Sequence, residues 1–239
     1  MIDIHCHLLD GIDDGAKTFE ESVEMARLAY EDGIRHIIAT PHFCSSFMTE
    51  RTVQLHKIAR LQRELDRQGI AVTVSPGSEV RLESAAYVYE HADRNHFFYL
   101  DAARRFVLLE QRWCGYSEDT EQVVKWFLEQ GTTPIIPHPE RHPFFRDNAQ
   151  LLTNLIALGA WTQVTADSLL GKNGTEAEAF GRWLLKHDHV HTLATDAHNT
   201  VRRPNLSDGF RVVAETAGEH RVQQILECMN SIVAVQNRS

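Results

Sequence analysis

No apolar run in this 239-residue chain approaches the roughly 20 residues that cross a bilayer. Met1 leads directly into the first strand pattern, which leaves no room for a secretory leader and sets the expectation of a cytoplasmic protein. Paired cysteines are missing too. Cys6, Cys44, Cys114 and Cys228 are scattered without a Cys-x-x-Cys pair, so they read as reduced thiols and not as a disulfide framework. None of the four is followed six residues later by arginine, which excludes a phosphatase loop built on a cysteine nucleophile. Gly-x-Ser-x-Gly, Walker and His-Glu-x-x-His motifs are equally absent, and the hydrolase and nucleotide-binding readings they carry go with them. Positive charge is short: 24 Lys and Arg against 33 Asp and Glu leave a net charge of −9, which argues against non-specific nucleic-acid binding. No linker or low-complexity stretch divides the chain, so one domain over residues 1–239 is expected.

What the chain has in quantity is histidine, with fourteen residues that ask for a chemical explanation. The first fifteen residues, MIDIHCHLLDGIDDG, organise the rest. In an extended strand alternate side chains share a face, so His5 and His7 project together toward one ion while Cys6 points away. The double aspartate Asp13-Asp14 follows at once.

Thr18 to Glu21 has the form of a capping box, and Phe19, Val23, Ala26 and Tyr30 recur at helical spacing before Gly33. His36 to Thr40 forms a strand that runs out into Pro41-His42. The pattern then repeats. Leu55, Ile58, Leu61 and Leu65 mark a second helix closed by Gly69, Ile70 to Val74 is a strand, and Gly77-Ser78-Glu79 follows. Residues Ala85 to Tyr99 give a short helix and loop, and Phe106 to Leu109 a strand ending in Glu110. A helix over Thr120 to Gln130 precedes the strand Pro134 to Pro137, which leads to His138. A helix over Ala149 to Leu158 precedes Trp161 to Thr165, a strand with no evident ligand at its end. A helix from Thr175 then leads to Val190 to Thr195, which delivers Asp196-Ala197-His198, and two helices complete the chain from Ser207.

Seven strands alternating with helices predict parallel pairing through right-handed crossovers. Functional side chains in such sheets gather at the carboxyl ends of the strands, and the His, Asp and Glu candidates fall there. The expected fold is therefore α/β, a distorted TIM-like barrel of seven β/α units. Imidazole and carboxylate together suit Mn²⁺, Zn²⁺ or Fe²⁺. Five histidines and four carboxylates exceed the needs of one ion, which points to a multinuclear site suited to phosphoester hydrolysis. Arg141, three residues after His138, and Arg203, five after His198, could each fork onto a phosphate. His187, His189 and His191 need no ligand role at a helix end.

The stretches MIDIHCHLLDGIDDGAKTFEES, IIATPHF, GSEV, IIPHPER and ATDAHNTVRRP, in this order and spacing, resemble the manganese-dependent protein-tyrosine phosphatases of bacterial capsule and exopolysaccharide systems. These belong to the polymerase and histidinol phosphatase (PHP) superfamily. The resemblance covers nearly the whole chain and implies a (β/α)7 barrel holding three divalent ions, manganese first, with zinc or iron as alternatives. It implies that His5, His7, Glu79 and Asp196 hold one ion, that Glu79, Glu110 and His138 serve a second, and that Asp14, His42 and His198 hold the third. Asp13 competes with Asp14, and the spacing from His7 favours Asp14. Arg141 and Arg203 match the phosphate-binding arginines, Arg203 being preferred to Arg202 for its place beside Pro204. A metal-bridging hydroxide would attack phosphorus directly, with tyrosine leaving as phenolate. The implied partner is a tyrosine-phosphorylated protein, a bacterial tyrosine autokinase of polysaccharide export. The rival readings are a small-molecule phosphoesterase, such as a histidinol-phosphate phosphatase, and a PHP-like scaffold that binds without catalysis.

Overall fold

Strand β1 (Ile2–Cys6) opens an alternation of strands and helices that the computed structural model describes over residues 1–234. The last five residues of the expected domain lie outside the described residues. Helix α1 (Phe19–Glu31) starts at the expected cap: Thr18 Oγ1 accepts from the Glu21 amide at 3.2 Å, while Glu21 Oε2 reaches back one residue further than a capping box requires, to the Lys17 amide at 2.8 Å. Strand β2 (His36–Ala39) breaks at Thr40-Pro41 and resumes as β3 (His42–Phe43). After α2 (Arg51–Gln68) the next strand is broken in the same way, into β4 (Thr73–Pro76) and β5 (Glu79–Arg81).

The strand expected over Ile70 to Val74 is thus shifted toward the C-terminus. The Ile70 amide is spent on closing α2, donating to Leu65 O at 2.9 Å, so pairing with β2 begins only at Thr73. Gly77 occupies the break between β4 and β5. A Cβ there would stand 2.6 Å from Ile38 Cγ2, so only glycine admits the approach of the two strands.

Helix α3 (Ala85–Asp93), β6 (Phe106–Glu110), α4 (Thr120–Glu129) and β7 (Thr133–Pro137) come next. A 3-10 turn (Pro139–Arg141), α5 (Pro143–Asp147) and α6 (Ala149–Leu158) lead to β8 (Trp161–Thr165). Helices α7 (Ala166–Leu169) and α8 (Thr175–Lys186) precede β9 (Thr192–Ala194), and α9 (Leu206–Ala217) and α10 (Glu219–Val233) complete the described chain. The short α5 and α7 carry too few turns for hydrophobic periodicity to announce them. None of the described helices is long and apolar enough to cross a membrane.

Every strand pairing is parallel, in the orders β1-β2-β4 and β3-β5-β6-β7-β8-β9. Because β2 runs on into β3 and β4 into β5, the nine segments make seven β/α units. The series returns on itself: the Asp196 amide donates to His5 O at 2.9 Å and the His7 amide to Ala197 O at 2.8 Å. This is the distorted (β/α)7 arrangement that the alternation predicts. Inside it, Ile4, Ile38, Phe106, Leu108, Ile135 and Ala194 form an apolar floor. Alternation along β6 places Phe106 and Leu108 in that floor and Glu110 above it. On β1 the pairing slips between Asp3 and Cys6, a bulge that lets the successive residues Ile4 and His5 both serve the interior.

Asp3 fastens the two ends of the series. Fully buried, it accepts from the amide of Thr195 at 3.1 Å and from the Thr195 hydroxyl. Burial pushes its carboxyl up to about 6, although the hydrogen bonds from Thr195 lower it. A folded-state pKa raised above the unfolded value adds stability that is full below about pH 4 and is lost as pH rises through about 6. Replacing Asp3 by alanine leaves the Thr195 groups unpaired and is expected to lower unfolding stability by about 1–3 kcal/mol in urea titrations. Asp3→Asn should retain most of the stability and flatten the decline between about pH 4 and pH 7.

Candidate metal centre

All nine His, Asp and Glu side chains singled out in the sequence meet at the carboxyl ends of the strands. Their potential ligand atoms fall into four overlapping groups: His7, Asp14, His42 and His198; His5, His7 and Asp196; His5, Glu79 and His138; and His42, Glu79 and Glu110. Within each group these atoms lie within 4.8 Å of one another. Strand register accounts for the fourth set, since His42 pairs with Glu79, and Arg81, two residues on from Glu79, pairs with Glu110. The partition differs from the one the resemblance implies. Glu110 stands with His42 and not with His138, His138 stands with His5, and His7 joins the Asp14 set.

The tautomers of three histidines are set from behind. His5 Nδ1 donates to Gln163 Oε1 at 2.7 Å, His7 Nδ1 to Asp13 Oδ2 at 2.7 Å, and His198 Nδ1 to Asp196 O at 2.9 Å. Each partner can only accept, so each ring turns its Nε2 toward the cluster, the arrangement that metal-ligating histidines require. His5 Nε2 then lies 3.4 Å from Glu79 Oε1 and 3.3 Å from Asp196 Oδ1, and His7 Nε2 lies 3.4 Å from an oxygen of each. His42 Nδ1, buried and 2.8 Å from Glu79 Oε2, makes no hydrogen bond. Acceptor atoms converge here with too few protons to join them. That donor set fits divalent cations.

Electrostatics agree. Burial raises the Glu79 and Asp196 carboxyls, yet His5 with His42 in one case, and His5 with Arg202 in the other, hold them well below the usual carboxylate range. Burial and the neighbouring Glu79 push the Glu110 carboxyl up. Against their own burial, His5 and His42 are raised chiefly by Glu79, and His7 chiefly by Asp13. Burial brings His138 down to about 4 and His198 down to about 3, so both are neutral, as a ligand must be.

Asp13 and Asp14 divide the labour that the sequence left open between them. Asp14, half exposed, lies 3.4 Å from His42 Nε2 and 3.5 Å from His198 Nε2. Asp13 stays behind His7, accepting also from the amides of Gly15 and His42. Gly15 makes this possible, because a Cβ there would lie 2.3 Å from His7 O.

One expectation is corrected. Arg202, not Arg203, faces the cleft: its Nη2 bonds Asp196 Oδ2, where Arg141 Nη1 also ends at 2.6 Å, whereas Arg203 is exposed and outside the lining. The cause is a local turn. Asn199 Oδ1 accepts from the amides of Val201 and Arg202, and Arg202 O accepts from the His198 amide, so residue 202 is folded back over the cluster. Sequence reasoning also missed Arg81, whose Nε donates to Glu110 Oε2 at 2.7 Å, and Trp113, whose Nε1 donates to Glu110 Oε1 at 2.9 Å. Gln163 was missed as well, although a polar residue inside β8 was a legible signal. The cleft enclosed by these groups measures about 180 Å³.

A family model described as capsular polysaccharide synthesis, CpsB/CapC, matches residues 1–234. The tyrosine-protein phosphatase YwqE of Bacillus subtilis is 35% identical over 204 residues, which span 85% of this chain and 79% of that protein. The tyrosine-protein phosphatase CpsB of Streptococcus agalactiae is 26% identical over 232 residues, 94% of each chain. Among solved structures, a chain from the crystal structures of YwqE from Bacillus subtilis and CpsB from Streptococcus pneumoniae, described as unique metal-dependent tyrosine phosphatases, superposes with a TM-score of 0.91. It is 32% identical and the match covers 100% of this chain and 96% of that one. An inactive dihydroorotase-like domain from Chaetomium thermophilum, at 10% identity and a TM-score of 0.56, shares the fold alone.

The support that Asp13 gives His7 is testable. Asp13→Ala is expected to weaken divalent-ion binding by about 10–100-fold, measured by competition with a chromogenic chelator, while the circular dichroism spectrum is retained.

Proposed function

This chain belongs to the capsular polysaccharide synthesis family CpsB/CapC, and we infer from that membership that it is a metal-dependent phosphatase hydrolysing phosphotyrosine on proteins. The observation that carries the reading is the convergence of five histidines and four carboxylates on one cleft lined by Arg81, Arg141 and Arg202. Nine ligands are more than one ion can use. Three ions sharing them account for every member; imidazole and carboxylate without thiolate suit Mn²⁺, Zn²⁺ or Fe²⁺, and the family resemblance puts manganese first. Asp14, His42 and His198 with His7, the set His5, His7 and Asp196, and Glu79 shared between His5 with His138 and His42 with Glu110 are the residues that would hold them.

Divalent ions held there supply Lewis acidity and an activated water for attack on phosphorus. The protein's own groups do the rest. Arg141 and Arg202 meet at one point, Asp196 Oδ2, so both guanidinium groups can reach the same anion, offsetting the charge that builds on the transferring phosphoryl oxygens. Gln163 and Asp13 keep His5 and His7 in the tautomer that leaves Nε2 bare. The leaving phenolate, with a parent pKa near 10, needs little protonation.

The substrate that follows is a tyrosine-phosphorylated protein, a tyrosine autokinase of polysaccharide export, met in the cytoplasm, with residues 1–239 acting as one phosphatase domain. Protein stripped with a chelator should release no phosphate from a phosphotyrosyl peptide until Mn²⁺ is restored, and should turn over histidinol phosphate poorly in parallel. A preference for histidinol phosphate would assign the site to small molecules instead. Arg202→Ala is expected to lower kcat/KM on the peptide by about 10²-fold or more, and Arg203→Ala to leave it near the wild-type value.

A further inference from the structure

Six large apolar side chains stand exposed among the described residues, and of these only Trp113 lines the cleft of the metal centre. It sits on the loop after β6, three residues beyond Glu110, and is 45% exposed. The indole is nevertheless held in place. Besides the hydrogen bond from Nε1 to Glu110, the ring stacks on His138 with centroids 5.5 Å apart and planes 18° apart, and His142 lies 4.4 Å away. The guanidinium carbon of Arg141 is 5.1 Å from the indole centroid.

We propose that Trp113 is a specificity-determining residue: the open part of its indole is the wall against which the ring of an aryl phosphate ester stacks, while Arg141 and Arg202 take the phosphate. This rests on the phosphatase reading and adds the means by which the site prefers an aromatic ester. A tyrosyl phosphate has a single ester oxygen between phosphorus and ring. A phosphate drawn to Arg141 therefore carries the ring to the indole beside that guanidinium. Seryl and threonyl phosphates bring a short aliphatic carbon to the same place and gain no ring contact. Aromatic stacking of this kind is worth about 2–12-fold in affinity. It acts on bound substrate and transition state alike, so it appears in KM and not in kcat.

The test compares wild type, Trp113→Ala and Trp113→Phe, each loaded with manganese. Calorimetry measures binding of phenylphosphonate and methylphosphonate, and kinetics follow phosphotyrosyl and phosphoseryl peptides. Trp113→Ala should weaken phenylphosphonate by about 2–12-fold with methylphosphonate unchanged, and raise KM for the phosphotyrosyl peptide by a similar factor at constant kcat. Trp113→Phe keeps a ring but not the N–H to Glu110, and should retain most of the preference. Equal weakening of the two phosphonates, or a fall in kcat shared by both variants, overturns the proposal, because Trp113 would then act only by holding Glu110. If the alanine variant loses its phenylphosphonate preference but the wild type does not hydrolyse phosphotyrosine, the stacking stands and the phosphatase reading falls.

Discussion

The structure depends on an electrostatic constraint: Glu79, Glu110 and Asp196, each at most 2% exposed, point into one small volume. Carboxylates taken out of water in company cost far more than a fold of this size can absorb unless positive charge meets them. Arg81 meets Glu110, Arg141 and Arg202 meet Asp196, and the imidazoles of His5, His7 and His42, whose pKa the nearby carboxylates raise, face the rest. The bonds from Gln163 and Asp13 hold the His5 and His7 rings with Nε2 toward the carboxylates. The site is thus a dense set of carboxylates and imidazoles, carried on an apolar floor that excludes water from below.

Backbone geometry delivers those charges at some cost. His138 and Asp196 both adopt left-handed conformations, with φ of 37° and 50°, which non-glycine residues avoid. Each ends a strand where the chain must turn sharply while aiming a side chain inward, a place where strain of order 1–3 kcal/mol is tolerated because packing over-determines it. Two further departures from regular sheet, the bulge in β1 and the break at Gly77, serve the same end by re-aiming His5 and bringing Glu79 beside His42. These four departures gather around the cleft. The long helices outside are amphipathic, and side chains cap the N-termini of α1, α3 and α6.

Much of this was legible beforehand for reasons that are local. Period-2 and period-3.6 patterns gave the alternation of strands and helices, since burial on one face acts over a few residues. Eight of the nine ligand candidates could be picked out because each stands at or just past the end of a strand pattern, and Asp14 was added by the family resemblance. Residues whose roles depend on a turn or on a partner distant in sequence were not legible. Arg202 and Arg203 are chemically alike, and only the Asn199 turn decides which of them faces the cleft. Gln163 reaches His5 across 158 positions of sequence, and Arg81 finds Glu110 only through strand register.

By itself the sequence determined the fold class, the order of the β/α units and the chemical character of the site, because hydrophobic period and side-chain type are properties of short segments. Tertiary structure decided which carboxylates share an imidazole, that Asp13 supports while Asp14 faces the cluster, where strands β2 to β5 break, and that Trp113 stands in the cleft wall. Those outcomes rest on distances of 3–5 Å between residues far apart in the chain, which strand register and the closing contact of β9 on β1 set and no local pattern records.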